Sequence, residues 1–213
     1  MDQQERPDLT DPLTKASYEA TEAELEQMVL DSHQLPEEFR GFRLGREGEM
    51  DNDAMAEHGF PGNTGEGFRG LGRITGYHRE FVAPPTRRTP REGTDIAVAT
   101  VAHLFTDEDS VSHWMTDVFL GQFEENVGKA VGVDQRLESV ERVTTSGYQS
   151  DAQGLRAVQS SSKGLVSSTV IDFRVGRILG VAFILTVGDY ERAAPTNALA
   201  GELERQIVRV LLR

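Results

Sequence analysis

The chain has 213 residues, 38% hydrophobic and 27% charged, a balance that suits a globular core and is too apolar for wholesale disorder. Its formal net charge is −13, and residues 1–60 hold 16 acidic against 5 basic side chains, so −11 of it sits in the front quarter. Such a surface repels phosphate backbones and anionic bilayers, which argues against nucleic acid and membrane partners, and the lack of cysteine excludes disulfides, thiol catalysis and thiolate metal sites.

Residues 1–16 are polar and aperiodic, with Pro7 and Pro12, and read as a flexible acidic tail ahead of one domain over 17–213. The opening MDQQERPDLTDPLT has neither the basic n-region nor the apolar stretch of a signal peptide. No apolar run reaches membrane-spanning length; the longest, 178–187, is strand-sized. Thr21-Glu22-Ala23-Glu24 fits a capping box, and Tyr18, Leu25, Met28 and Val29 share one helical face, so a short helix is expected before His33 and Pro36.

Phe39, Phe42 and Leu44 stand in a short extended segment, and Asp51 caps a helical turn through Met55. Residues 59–72, GFPGNTGEGFRGLG, carry six glycines and a proline, a density that predicts a loop. Residues 73–82 read as a strand with Thr75, Tyr77, Arg79 and Phe81 on one side. After a proline-rich connection, 95–105 is apolar on both faces and suits a central strand.

Thr106 is the expected cap of a helix whose apolar face is Val111, Trp114, Met115, Val118, Phe119 and Gln122, with Gly128 as its stop. Residues 137–145 and 155–161 carry weaker strand signals. Residues 166–173 and 178–187 flank Val175-Gly176-Arg177, where Gly176 supplies the positive φ of a tight hairpin turn. Pro195 opens a final helix with the stripe Leu199, Leu203, Ile207, Val210 and Leu211, whose burial is worth roughly 8–15 kcal/mol at ~1.5–3 per side chain before entropy. Strands that follow one another, rather than alternating with helices, predict an α+β fold: a mostly antiparallel sheet packed by helices, the last of them amphipathic.

Candidate chemistry is sparse. Residues 65–70 match G-x-G-x-x-G, but a loop precedes them and a strand follows, the reverse of what a dinucleotide site needs. Asp51, Asp53 and Glu57 could offer oxygens to Ca²⁺, yet an EF-hand loop counted from Asp51 would need Gly and Glu where Ala56 and Gly62 stand. The histidines lack any helical metal-ligand spacing, although His78 and His103 fall on strands that could be neighbours. Ser160-Ser161-Ser162-Lys163 lies in a turn, not at a helix start, and Arg87, Arg88 and Arg91 crowd a solvated loop. No catalytic residue, metal or cofactor is expected.

Three segments together carry a resemblance: Leu35-Pro36-Glu37-Glu38-Phe39, then Gly72-Arg73-Ile74-Thr75-Gly76-Tyr77-His78-Arg79-Glu80-Phe81, then Asp172-Phe173-Arg174-Val175-Gly176-Arg177-Ile178-Leu179. They resemble a loose group of uncharacterised bacterial proteins, often predicted to be exported or lipid-anchored. The resemblance implies an α+β sandwich similar to the PsbP-like fold of photosystem extrinsic proteins and carries no catalytic residues. The chain departs from that group in showing no leader and no lipobox cysteine, so an extracytoplasmic location presupposes a removed leader and the alternative is the cytoplasm.

The functional expectation is a non-catalytic binding domain, because loops on a rigid scaffold carry function and no reactive constellation is present. Its partner is a protein or a small molecule, with a second copy of the chain also open. The expected binding side chains are Arg73, Tyr77 and Arg79. The alternatives are an enzyme built on His78, His103 and Glu80, and an assembly component tethered by its acidic tail.

Overall fold

Strand 95–105 is apolar on both faces because it lies inside the sheet and is covered from both sides. A computed structural model describes residues 11–85, 90–132 and 134–213. Its strands are β1 (Arg43–Glu49), β2 (Arg73–Val82), β3 (Asp95–Phe105), β4 (Ala130–Gly132), β5 (Gln135–Arg142), β6 (Ala152–Ser161), β7 (Gly164–Val175) and β8 (Ile178–Val187). They form one antiparallel eight-stranded sheet in the order β1-β2-β3-β8-β7-β6-β5-β4. Two meanders meet at the β3–β8 pair, so the α+β expectation holds.

One face is covered by α1 (Pro12–Glu19), α2 (Leu25–Met28) and the long α7 (Ala193–Leu211). Leu199, Leu203, Ile207 and Val210 of α7 are buried against Val98, Ile171, Phe173 and Ile184 of the sheet, as the stripe predicts. The opposite face is covered by α3 (Asn52–Glu57), α4 (Gly65–Gly70), α5 (Glu108–His113), a π-helical run Trp114–Gly121 and α6 (Gln122–Glu125).

Several local expectations are corrected. Residues 12–16 are not tail but the start of α1, capped by Asp11, whose side chain accepts from Thr14 N; residues 1–10 lie outside the described part. The β7–β8 turn holds α1 in place. Arg177 donates to the carbonyls of Ser17, Tyr18 and Ala20, and a Cβ on Gly176 would lie 2.1 Å from Ser17 Oγ. The Thr21–Glu24 capping box forms, though on a 3₁₀ turn. Phe39 closes another 3₁₀ turn, and of the expected extended trio only Leu44 is in a strand. Asp107 rather than Thr106 caps α5, because its carboxylate reaches Ser110 N.

The largest correction concerns residues 59–72. Gly65–Gly70 is a helix, capped by Thr64 and anchored by buried Phe68. Its first glycine packs close to α3: a Cβ at Gly65 would stand 1.8 Å from Asp53 Oδ1 and 3.1 Å from Asp53 N, so a side chain there would displace the Asp53 carboxylate and press on the α3 backbone. The G-x-G-x-x-G string is thus itself a helix running into β2, without the strand-turn-helix of a phosphate cradle.

Candidate functional site

β2 carries a bulge between Arg73 and Thr75. Strict alternation would put Arg73 on the face of Tyr77 and Arg79; the extra residue turns it to the other face instead. There Arg73 is 1% exposed and donates to Asn52 Oδ1 at 2.8 Å, to the Met50 carbonyl at 2.7 Å and to His103 Nδ1 at 3.0 Å. Asn52 in turn donates to the Arg73 and Ile74 carbonyls, tying α3 to β2. Burial brings the Arg73 guanidinium down to about 10, still a cation at neutral pH. Because Arg73 can only donate, His103 Nδ1 must accept, so the His103 proton sits on Nε2. Gly76 lies opposite His103, and a Cβ there would fall 2.3 Å from Nδ1, so only glycine leaves room for the ring.

Tyr77 and Arg79 point to the face of α1, α2 and α7. Arg79 is spent on Glu47, Asp31 and the Leu30 carbonyl, and its guanidinium stacks 5.9 Å from the Tyr77 ring. The three expected binding residues are therefore divided between the faces, and Arg79 clasps the segment after α2 to the sheet.

On the Arg73 side, a cavity of about 400 Å³ lies between the sheet and the helical cover. Its floor includes one row across four strands: His78 pairs with Val101, Val101 with Val181, and Val181 with Asp172. Three strand spacings put His78 and Asp172 about 14 Å apart, at ~4.8 Å each. The roof includes Trp114, Val118 and Phe119 from the π-helical run, a geometry that recurs at functional sites. Asn63 and Gln122 exchange two amide hydrogen bonds across the mouth, at 2.9 and 3.1 Å, and Phe60 meets Phe123 edge-on beside them. Residues 58–60 and Asn63 also line an outer depression of about 490 Å³, so this loop stands between cavity and solvent.

Two polar atoms of the cavity wall are buried without a hydrogen-bond partner among the described residues, His78 Nδ1 and Asp172 Oδ1. Burial holds the Asp172 carboxyl well above its ordinary range. Burial, reinforced by Arg73 and then His78, holds His103 well below the ordinary imidazole value, and burial followed by Arg46 lowers His78. The wall thus presents imidazoles at one end and a carboxyl at the other, and burial disfavours the charged form of each.

The enzyme alternative's two histidines do come together on this face, as diagonal neighbours of β2 and β3. Its carboxylate does not join them, because Glu80 pairs with Arg46 at 3.1 Å and does not line the cavity. Asp172, the acid that does, escaped sequence reading. The available signal was a lone carboxylate between Ile171 and Phe173 in a strand apolar on both faces. Asp51 caps α3 through Ala54 N and Asp53 pairs with Arg69, while Glu57 lines the outer depression. Ser162 bonds Asp134 in the exposed β6–β7 turn. Arg91 is exposed, and Arg87 and Arg88 lie outside the described residues.

Asp172 and His103 give opposite pH signatures. A raised carboxyl favours the fold below the unfolded value of 3.8, an advantage lost as pH climbs toward the folded value. A depressed imidazole favours the fold above the unfolded 6.5, an advantage lost as pH falls toward the folded value. Asp172→Asn removes the first effect only. It should raise the melting temperature at pH 7 by at least ~2–4 °C, about 1 kcal/mol in a chain of this size, with a smaller gain at pH 5. Thermal denaturation at both pH values checks this, and an equal gain at both would mean that Asp172 titrates normally.

The fold and the cavity define an antiparallel α+β domain with a polar-tipped cleft between its sheet and its helical cover. No family model matches the chain, and no curated protein matches it in sequence. In fold it is similar to the extracellular domain of PknH from Mycobacterium tuberculosis, with a TM-score of 0.58 and 11% identity, over 89% of this chain and 97% of that one. At that identity the likeness is one of fold. No described helix is long and apolar enough to cross a membrane.

Proposed function

We propose that this chain is a non-catalytic binding domain that holds a small, largely apolar molecule between its sheet and the π-helical run. One observation carries the reading: the cavity joins aromatic and aliphatic walls to buried polar atoms that lack partners among the described residues, which is the make-up of a ligand site. A purely structural core would have filled the space or satisfied those atoms. The absence of a paired acid and base favours binding over catalysis. His103 is tied by Arg73, and Asp172 stands about 14 Å from His78, beyond proton-transfer reach.

We further propose that the domain works outside the cytoplasm, as an exported module of the kind its three sequence segments resemble. The fold shared with an extracellular domain supports that placement.

The probe for the cavity is the neutral apolar dye N-phenyl-1-naphthylamine, whose fluorescence rises in apolar surroundings. The full chain should bind it saturably. Val181→Trp fills the centre of the floor and should weaken binding at least ~10-fold while the circular dichroism spectrum is unchanged. A folded Val181→Trp that binds the dye like the parent, or a parent that does not bind it, would refute the cavity reading.

A further inference from the structure

We infer that the cavity's ligand is an amphiphile with a protonated amine on an apolar body, and that the amine pairs with Asp172. The inference rests on the cavity reading and adds the chemistry of the ligand. Asp172 is 2% exposed, lines the cavity, and has an oxygen with no partner among the described residues. The cavity it lines is also walled by Val170, Val181, Phe183, Phe119 and Trp114, so the body of the ligand meets hydrocarbon and ring faces.

No protein cation is turned to this carboxyl among the described residues. Arg174, two residues along β7, is taken by Asp151 at 3.3 Å and Glu108 at 3.6 Å. β6 offers Gln153 opposite Asp172, and β8 offers Val181. From the helical cover, Glu108 is held by Arg174, while His113 and Asp117 pair with each other at the surface. Across the cavity sit His78 and His103, whose charged forms burial disfavours, together with His58 and with Arg46, which is paired to Glu80 at 3.1 Å. A buried acid in apolar surroundings is costly in either protonation state unless a donor reaches it, and a cationic donor recovers the most. An anionic ligand would instead meet an acid in a chain of net charge −13.

Where the empty site holds its proton, binding of an ammonium ion must release one. Either Asp172 loses it to form the ion pair, or the amine loses it and enters neutral; the count is the same. Affinity therefore rises with pH as long as the empty site is protonated and the free amine is charged.

The test displaces N-phenyl-1-naphthylamine from the full chain with n-decylamine, n-decanol and decanoic acid, which share one apolar body. Decylamine should compete at a concentration at least ~10-fold below decanol and decanoic acid at pH 7, and its affinity should rise with pH above 5. Calorimetry at pH 5 in two buffers of different ionisation enthalpy should show proton release with decylamine and none with decanol. In Asp172→Asn the advantage of the amine over the alcohol should vanish. An amine that binds no better than the alcohol, or binds without proton release, overturns the assignment while bound dye leaves the cavity reading standing. A chain that fails to bind the dye at all overturns both. The proton count is made on the unaltered chain, so it decides the matter even if the variant folds poorly.

Discussion

Leu203→Asp should abolish the folded state at room temperature. Leu203 is fully buried at the centre of the α7 stripe, in one cluster with Leu199, Ile207, Phe173 and Ile184. An aspartate there either buries a charge without a partner or pulls α7 away from β7 and β8. The first costs several kcal/mol, and the second forfeits most of the roughly 8–15 kcal/mol that the stripe contributes before entropy. Either loss is comparable with the whole stability of a domain, ~5–15 kcal/mol. Loss of the cooperative melt and of dispersed amide resonances is the expected outcome. A variant that melts like the parent would mean that α7 does not pack on the sheet, and the assignment of that face would be wrong.

Arg73→Met should destabilise the domain by about 3 kcal/mol or more, a fall in melting temperature on the order of 10 °C. The replacement keeps much of the side-chain bulk and removes every donor. Three acceptors then lose their hydrogen bonds inside the protein: Asn52 Oδ1, the Met50 carbonyl and His103 Nδ1. Each orphaned buried acceptor costs ~1–3 kcal/mol. A second consequence separates this network from simple packing. With the guanidinium gone, one cause of the depressed His103 titration disappears, so the imidazole should move back toward its ordinary value. Stability would then be lost over a narrower pH range as acid is added. Imidazole resonances followed through a pH titration read the shift directly, and an unchanged His103 titration would show that Arg73 does not act on that ring.

Both effects concern residues whose roles were unequally visible in the chain. Leu203 is legible because its stripe repeats with the helical period, and a period is a local property that needs no partner to be seen. The same holds for the hairpin at Gly176 and for the apolar strand Asp95–Phe105, where local composition and burial agree. The antiparallel order of strands followed from their succession without intervening helices, a connection rule that also works locally.

The neighbours of Arg73 are not legible locally: strict alternation would place it with Tyr77 and Arg79, and a one-residue bulge turns it to the other face. Residues 65–70 read as a loop because glycine lowers helix propensity, whereas the Thr64 cap and buried Phe68 hold them in a helix. Asp172 and the π-helical run could be read as an ordinary strand residue and an ordinary amphipathic helix. What makes them a site is the space between them.

By itself, then, the order of residues determined the long strands of the sheet, the final helix with its buried face, and that the sheet is antiparallel. Those properties arise from neighbours a few positions apart along one chain. Only the tertiary structure decided that His78 and Asp172 share a row, that Arg73 faces His103, and that a chamber remains beneath Trp114. Cavities and orphaned polar atoms are properties of packing between distant segments, and no local pattern encodes the volume that packing leaves unfilled.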